Sequence, residues 1–91
     1  MPRPRKFRRI MFNPKSDYFK PRGVPMRLLE EVILEKDEME AVRLCDLKQM
    51  DMLGAAEKMN LSKSTVHRLL SAAHRKIAEA LVEGKALRID D

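Results

Sequence analysis

In Met52-Leu53-Gly54-Ala55-Ala56-Glu57-Lys58-Met59-Asn60-Leu61-Ser62-Lys63-Ser64-Thr65-Val66-His67-Arg68-Leu69-Leu70-Ser71 the side chains fall in an order that suits two helices joined by a short turn. Helices that meet steeply through a turn of three or four residues need a small side chain in the middle of the first and apolar residues on the inner face of the second. Counted from Met52, the fifth residue is Ala56, small enough to let the helices touch. The ninth is Asn60, which tolerates the left-handed backbone that ends a helix. The fifteenth and eighteenth are Val66 and Leu69, both apolar, and Leu61 in the turn can plug the corner. Capping chemistry agrees independently. Asp51 is a natural N-cap for a helix from Met52 to Met59, and Ser62 for the one that follows. The pattern is that of a helix-turn-helix.

The second of these helices is expected to run on to Glu83, where Gly84 stops it. Upstream, a first helix is predicted from Asp37 to about Lys48. Met39, Val42, Leu44, Cys45 and Leu47 give it an apolar stripe, and Asp37 and Glu38 favour its positive N-terminal end. Two strand-like runs flank the helices. Glu31-Val32-Ile33-Leu34-Glu35 is partly β-branched, and Lys85-Ala86-Leu87-Arg88-Ile89 alternates polar and apolar. One short strand is marginal alone, so the two are expected to pair, within one chain or between two. Before residue 31 no helical period is visible, and all five prolines lie between Pro2 and Pro25. Phe7, Ile10, Met11, Phe12, Tyr18 and Phe19 offer anchors for this segment. The expected fold is therefore mainly α, with a three-helix helix-turn-helix domain over 31–91, an extended basic N-terminal arm over 1–30, and two short flanking β-strands.

Ninety-one residues suffice for one domain. The longest apolar runs, such as Val32-Ile33-Leu34, are too short to span a bilayer, and no apolar stretch follows the basic start as a signal peptide requires. Cys45 is the sole cysteine, which excludes an internal disulfide and a cysteine-cluster zinc site and favours a reducing cytoplasm. The net charge of +5 is unevenly spread. Residues 1–30 hold nine basic and two acidic side chains, residues 31–60 four and eight, residues 61–91 six and four. Positive charge gathered at both ends suits a polyanion better than a small acidic substrate. A membrane partner is not expected, because prolines interrupt the basic segment where an amphipathic helix would be needed.

The outer face of the third helix carries the candidate chemistry. Lys63, Ser64, His67, Arg68 and Ser71 recur at helical spacing opposite Val66, Leu69, Leu70, Ala73 and Ile77, and no acidic residue occurs from Ser62 to Lys76. Such a helix can lay its first turns in a major groove. Arg68 suits a two-bond contact to guanine, with Ser64, Thr65 or His67 making shorter contacts. Ser62 and the free N–H groups at the helix start suit a phosphate. Arg75 and Lys76 lie too far along to share one groove with Lys63. The plainer reading is a solvated polar face, which most charged helix faces are. In the arm, Arg3, Arg5, Lys6, Arg8 and Arg9, separated by Pro2 and Pro4, suit a minor groove or a phosphate track. The plainer reading there is a solvated tail.

Other chemistry finds little support. His67 and His74 lack a neighbouring acid in sequence, so no metal site is expected. Cys45 lies on the apolar stripe and reads as a small hydrophobe rather than a nucleophile. Glu30-Glu31 and Asp37-Glu38 read as solvated or capping residues. There is no glycine-rich phosphate loop and no catalytic triad, so neither an enzyme nor a cofactor is expected.

The chain resembles a family of small bacterial and archaeal proteins, predicted to bind DNA and otherwise uncharacterised, whose helix-turn-helix is similar to region four of sigma factors. The resemblance rests on Met1-Pro2-Arg3-Pro4-Arg5-Lys6, Tyr18-Phe19-Lys20-Pro21, Asp37-Glu38-Met39-Glu40-Ala41-Val42-Arg43-Leu44, Ala55-Ala56-Glu57-Lys58-Met59 and Ala80-Leu81-Val82-Glu83-Gly84-Lys85-Ala86-Leu87-Arg88-Ile89. It implies a compact helical fold and a transcriptional role on double-stranded DNA, with no defined target. Many members carry a cysteine near the position of Phe7, which this chain lacks, so no metal or redox role is carried over. Met52-Leu53-Gly54 is less polar than this type of helix usually is. That points to exposed apolar surface and to a homodimer or partner contact. The leading expectation is a DNA-binding transcriptional regulator. The alternative is an adaptor that contacts RNA polymerase through Met50, Met52 and Leu53, and RNA binding through the arm is a third.

Overall fold

The computed structural model describes residue 10 and residues 14–90. Along the chain these form β1 (Tyr18–Phe19), a 3-10 turn (Met26–Leu28), β2 (Glu31–Glu35), α1 (Lys36–Val42), a π-helical turn (Arg43–Leu47), α2 (Met52–Met59), α3 (Lys63–Glu83) and β3 (Ala86–Asp90). The chain is thus mainly α, with three helices and a small three-stranded sheet. Phe7, Met11 and Phe12, expected as anchors of the arm, lie outside the described residues.

The junction of α2 and α3 follows the capping chemistry. Asp51 accepts a hydrogen bond from the Gly54 N–H at 2.8 Å and opens α2. Asn60 closes it in the left-handed conformation, at φ 60° and ψ 46°. The Leu61 N–H then donates to the Ala56 carbonyl at 2.9 Å, and the Leu61 side chain packs on the core beneath. Ser62 opens α3 by accepting from the Thr65 N–H at 3.2 Å. Ala55, Ala56, Met59, Val66, Leu69 and Leu70 are buried together with Ala41 and Leu44. Two alanines at the crossing leave room for the backbones to approach, while Met59 and Val66 fill the space between them.

Helix α1 opens with a reciprocal cap: the Glu35 side chain accepts from the Glu38 backbone, and the Glu38 carboxylate accepts from the Glu35 N–H at 2.9 Å. The helix covers the expected residues but changes pitch. At Arg43–Leu47 the turn widens to the π form, and the Lys48 N–H donates back to the Arg43 carbonyl at 2.9 Å. The wider turn rotates the last residues about the axis. Leu44 stays buried, whereas Leu47, expected on the apolar stripe, is 72% exposed. The stripe therefore ends at Cys45.

The two expected strands pair within one chain. β2 and β3 run parallel in the register Glu31↔Ala86, Val32↔Leu87, Ile33↔Arg88, Leu34↔Ile89 and Glu35↔Asp90. A third strand was not expected. Tyr18 and Phe19 add antiparallel to the far edge of β3, opposite Arg88 and Leu87, and the Ile89 N–H donates to the Asp17 carbonyl at 2.8 Å. β3 is consequently central, in the order β1-β3-β2. Alternation sends Val32, Leu34 and Ile89 inward, and Leu34 and Ile89 meet Ala73 of α3 in a second apolar cluster. On the outward face the Tyr18 hydroxyl donates to Glu31 at 2.8 Å, and the Arg88 Nε donates to the same carboxylate at 3.1 Å. The bond to Glu31 lifts the Tyr18 phenol above its ordinary pKa. The first half of α3 thus rests on α1 and α2, and its second half on the sheet.

Candidate nucleic-acid interface

Buried residues of α3 fix which side of the helix can meet a partner. Val66, Leu69, Leu70, Ala73 and Ala80 face inward, and the helical period leaves Lys63, Ser64, His67, Arg68 and Ser71 exposed on the opposite side. Those five residues, expected as contacts, share one surface. Ser62 is also exposed, but its hydroxyl is committed to the helix start, where it meets the Thr65 hydroxyl at 2.9 Å and the Ser64 hydroxyl at 3.2 Å. Thr65 is half-buried and tied into that cap, which sets it back from the exposed face. Arg3, Arg5, Lys6, Arg8 and Arg9 lie outside the described residues.

Several cations elsewhere in the molecule are held in ion pairs. Arg43 forms a fork on Glu40, with Nε to Oε1 at 2.9 Å and Nη2 to Oε2 at 3.0 Å. Lys76 bonds Glu38 at 2.8 Å. Lys85 meets Glu79, Glu83 and Glu30 at 2.8, 3.1 and 3.2 Å, and Arg88 meets Glu31 and Asp90. Among the described residues, Lys63, Arg68 and Arg75 have no such carboxylate. No described carboxylate forms an ion pair with Lys63 or Arg68, while the Arg75 charge acts on Glu79 one turn further along α3.

At the edge of the face, Met52 from the start of α2 joins Lys63, Ser64 and His67 around a shallow open depression. Met52 and Met50 are half-buried and pack on the core, while Leu53 is exposed. The larger apolar exposure sits elsewhere. Leu81 and Val82, near the end of α3, are 78% and 83% exposed, and Phe19 of β1 lies beside Leu81 across a groove floored by Ile77 and Leu87. Composition gave no sign of this, because Leu81 and Val82 look like core residues until the helix phase is known.

Three further side-chain arrangements were not foreseen. Glu40 is fully buried, paired with Arg43, whose guanidinium it holds even more firmly charged than usual. Glu38 and Asp37, expected as solvated or capping residues, are buried, and Glu38 does cap. His74 meets Asp46 at 2.6 Å across the space between the π turn and α3, a neighbour 28 residues away in sequence. Burial and then the charges of Asp46 and Asp51 raise the Cys45 thiol pKa, which keeps it protonated. No group of three His, Cys, Asp or Glu side chains placed to hold a metal ion occurs among the described residues. Among them, too, no helix is long and apolar enough to cross a membrane.

The fold and this face define a small, mainly α protein in which a long helix spans two layers and presents an unpaired cationic, hydroxyl-rich surface. The chain belongs to the family described as "Protein of unknown function DUF134", whose model matches residues 1–91. A UPF0251 protein of Dehalococcoides mccartyi is 51% identical over 90 residues, covering 99% of this chain and 77% of its own length. One from Caldanaerobacter subterraneus subsp. tengcongensis is 47% identical over 90 residues, covering 99% and 76%. Another, from Pelotomaculum thermopropionicum, is 49% identical over 89 residues, covering 98% and 67%. No solved structure matches the chain.

Proposed function

We propose that α2, the turn 60–62 and the first half of α3 form a helix-turn-helix that reads duplex DNA, and that the protein is a transcriptional regulator. One observation carries the reading above the others: the exposed side of α3 gathers Lys63, His67, Arg68 and Arg75 beside three hydroxyl residues, with no acidic side chain from Ser62 to Ala78. A polar face without internal neutralisation is costly to leave self-repelling and well suited to phosphate and base edges. In this reading Arg68 contacts guanine, and Ser64, His67 and Ser71 make shorter base or phosphate contacts. Lys63 and the first-turn N–H groups of α3 grip the backbone. The arm residues Arg3, Arg5, Lys6, Arg8 and Arg9 add phosphate or minor-groove contacts. A DNA partner places the protein in the cytoplasm.

Selection of binding sites from a random duplex pool at two salt concentrations, with wild type and Arg68→Ala, tests this. An enriched motif that Arg68→Ala relaxes at one base pair is the expected result. Salt-sensitive binding with no motif, unchanged by the substitution, defeats direct readout.

A second reading, contact with another protein, draws on the exposure of Phe19, Leu81 and Val82 at the far end of α3 from Lys63. This face competes less with DNA than the Met50, Met52 and Leu53 surface would. A homodimer built on it pairs two reading heads, as paired half-sites require. Sedimentation of Leu81→Lys/Val82→Lys against wild type decides it: a monomer in both refutes the dimer, and retention of RNA polymerase by wild type alone favours the adaptor.

A further inference from the structure

We propose that the depression lined by Met52, Lys63, Ser64 and His67 receives the C5-methyl group of a thymine in duplex DNA, which makes Met52 a specificity-determining residue. The inference rests on the DNA reading above and adds to it a named base. Met52 is the first residue of α2 and is half-buried, so the core holds one side of it while the other lies open toward α3. The remaining lining residues all belong to the exposed face of α3. An apolar spot is thereby set into polar surface at the point where α2 comes up to the reading helix.

Major-groove chemistry selects the occupant. Of the four bases, thymine alone offers a methyl group, and it lies next to the O4 acceptor. A methyl group favours an apolar, adaptable contact, which a thioether on an unbranched side chain supplies. The O4 atom needs a donor, and the Ser64 hydroxyl and the His67 ring stand on the rim. Lys63 adds the methylenes of its stem as a wall while its ammonium reaches outward to a phosphate. Cytosine at the same place offers Met52 only a C5 hydrogen and sets its amino donor where O4 would accept, against the Ser64 and His67 donors. The cations beside the depression are complementary to a duplex. Its openness suits a group projecting from a larger partner more than a free small ligand, which favours an enclosing cavity.

The experiment uses the full chain and the motif enriched by selection. Each thymine of that motif is replaced in turn by deoxyuridine, which removes the methyl group and nothing else. At one position wild type is expected to bind about fourfold more weakly, the amount associated with burying one methyl group. Met52→Ala is expected to abolish that difference, and Met52→Leu, still apolar, to retain most of it. Each protein is compared with itself on two duplexes, so a loss of stability in a variant does not imitate the effect. A motif at which no thymine responds to methyl removal overturns the assignment while leaving sequence-selective binding in place, as does a Met52→Ala protein that responds like wild type. Enrichment of no motif overturns the DNA reading itself, and this assignment with it.

Discussion

Ala56 sets the distance between α2 and α3, and substitution in either direction is expected to be costly. The residue is 3% exposed in the corner formed with Val66 and Leu69, and its carbonyl accepts the N–H groups of both Asn60 and Leu61. Ala56→Gly removes one buried methyl, about 0.8 kcal/mol, and costs about 1 kcal/mol in helix propensity, for about 2 kcal/mol together. Ala56→Leu adds three carbons where the interior is filled, and overpacking of this kind costs about 1–3 kcal/mol. Lys58→Leu is the control, because Lys58 is exposed on the same helix and Lys and Leu have similar propensity. Urea denaturation with a common m value measures all three, and for a domain of this size 2 kcal/mol corresponds to a Tm lowered by about 8–16 °C. An Ala56→Leu protein within about 0.5 kcal/mol of Lys58→Leu would refute the claim that a small side chain is required there.

Four other outcomes are expected. Glu40→Ala removes the buried carboxylate that holds the half-buried Arg43 guanidinium and is expected to cost about 1.5–3 kcal/mol, whereas Glu40→Leu/Arg43→Met together should cost less in the same urea assay. The Cys45 thiol, raised in pKa by burial, should react with a disulfide reagent at pH 8 many times more slowly in native protein than in urea, and equal rates would contradict its packing. Lys85 holds the Glu79 carboxylate below its ordinary value of 4.5. The stabilisation is then complete above pH 4.5 and is lost as pH falls through the lower folded value, so Lys85→Ala should flatten the acid limb of a Tm-against-pH curve by lowering Tm slightly at neutral pH while leaving the most acid points almost unaffected. For the proposed DNA complex, Lys63→Ala should reduce the slope of log K against log salt by about 0.9, whereas Arg68→Ala, which removes a base contact, should relax specificity more than it changes the slope, and Lys85→Ala leaves it unchanged.

The corner was legible in the sequence because each of its parts is a local requirement. Asp51 and Ser62 cap at fixed distances, Asn60 tolerates positive φ, and Ala56 and Val66 satisfy packing that depends on helix period alone. The exposed residues of α3 follow from the same period, which is why Lys63, Ser64, His67, Arg68 and Ser71 fall on one surface. Features that depend on distant pairings were not legible. Two residues at 18–19 carry no strand signal of their own, and Tyr18 and Phe19 become a strand because β3 offers them an unpaired edge. The wider turn at Arg43–Leu47 has no distinctive composition, so Leu47 looked like a core residue by spacing. The burial of Glu40 had no signal in the sequence, because its partner Arg43 is only a polar neighbour three residues on. The burial of Glu40 depends on how α1 lies against its neighbours.

The acidic middle of the chain and its basic ends acquire a common meaning once the ion pairs are traced. Glu30, Glu31, Glu38 and Glu40 come from the acid-rich centre or its edge, and they neutralise Lys85, Arg88, Lys76 and Arg43. Lys76 is on α3, Arg88 on β3 and Lys85 in the turn between them, so the contacts tie the C-terminal part of the chain back to the β2–α1 segment. Internal pairing consumes the positive charge that lies next to the sheet and α1. It does not extend to the first half of α3, where Lys63 and Arg68, like Arg22, Arg27, Lys48 and Lys58 elsewhere, form no ion pair with a described carboxylate. A net charge of +5 spread evenly would favour loose association with any polyanion. On α3 the cations without an ion pair lie on one side of a helix whose start is fixed by a tight corner, so that local charge has direction. Direction distinguishes a reading surface from a merely basic one, and it is the physical reason to test α3 before the arm.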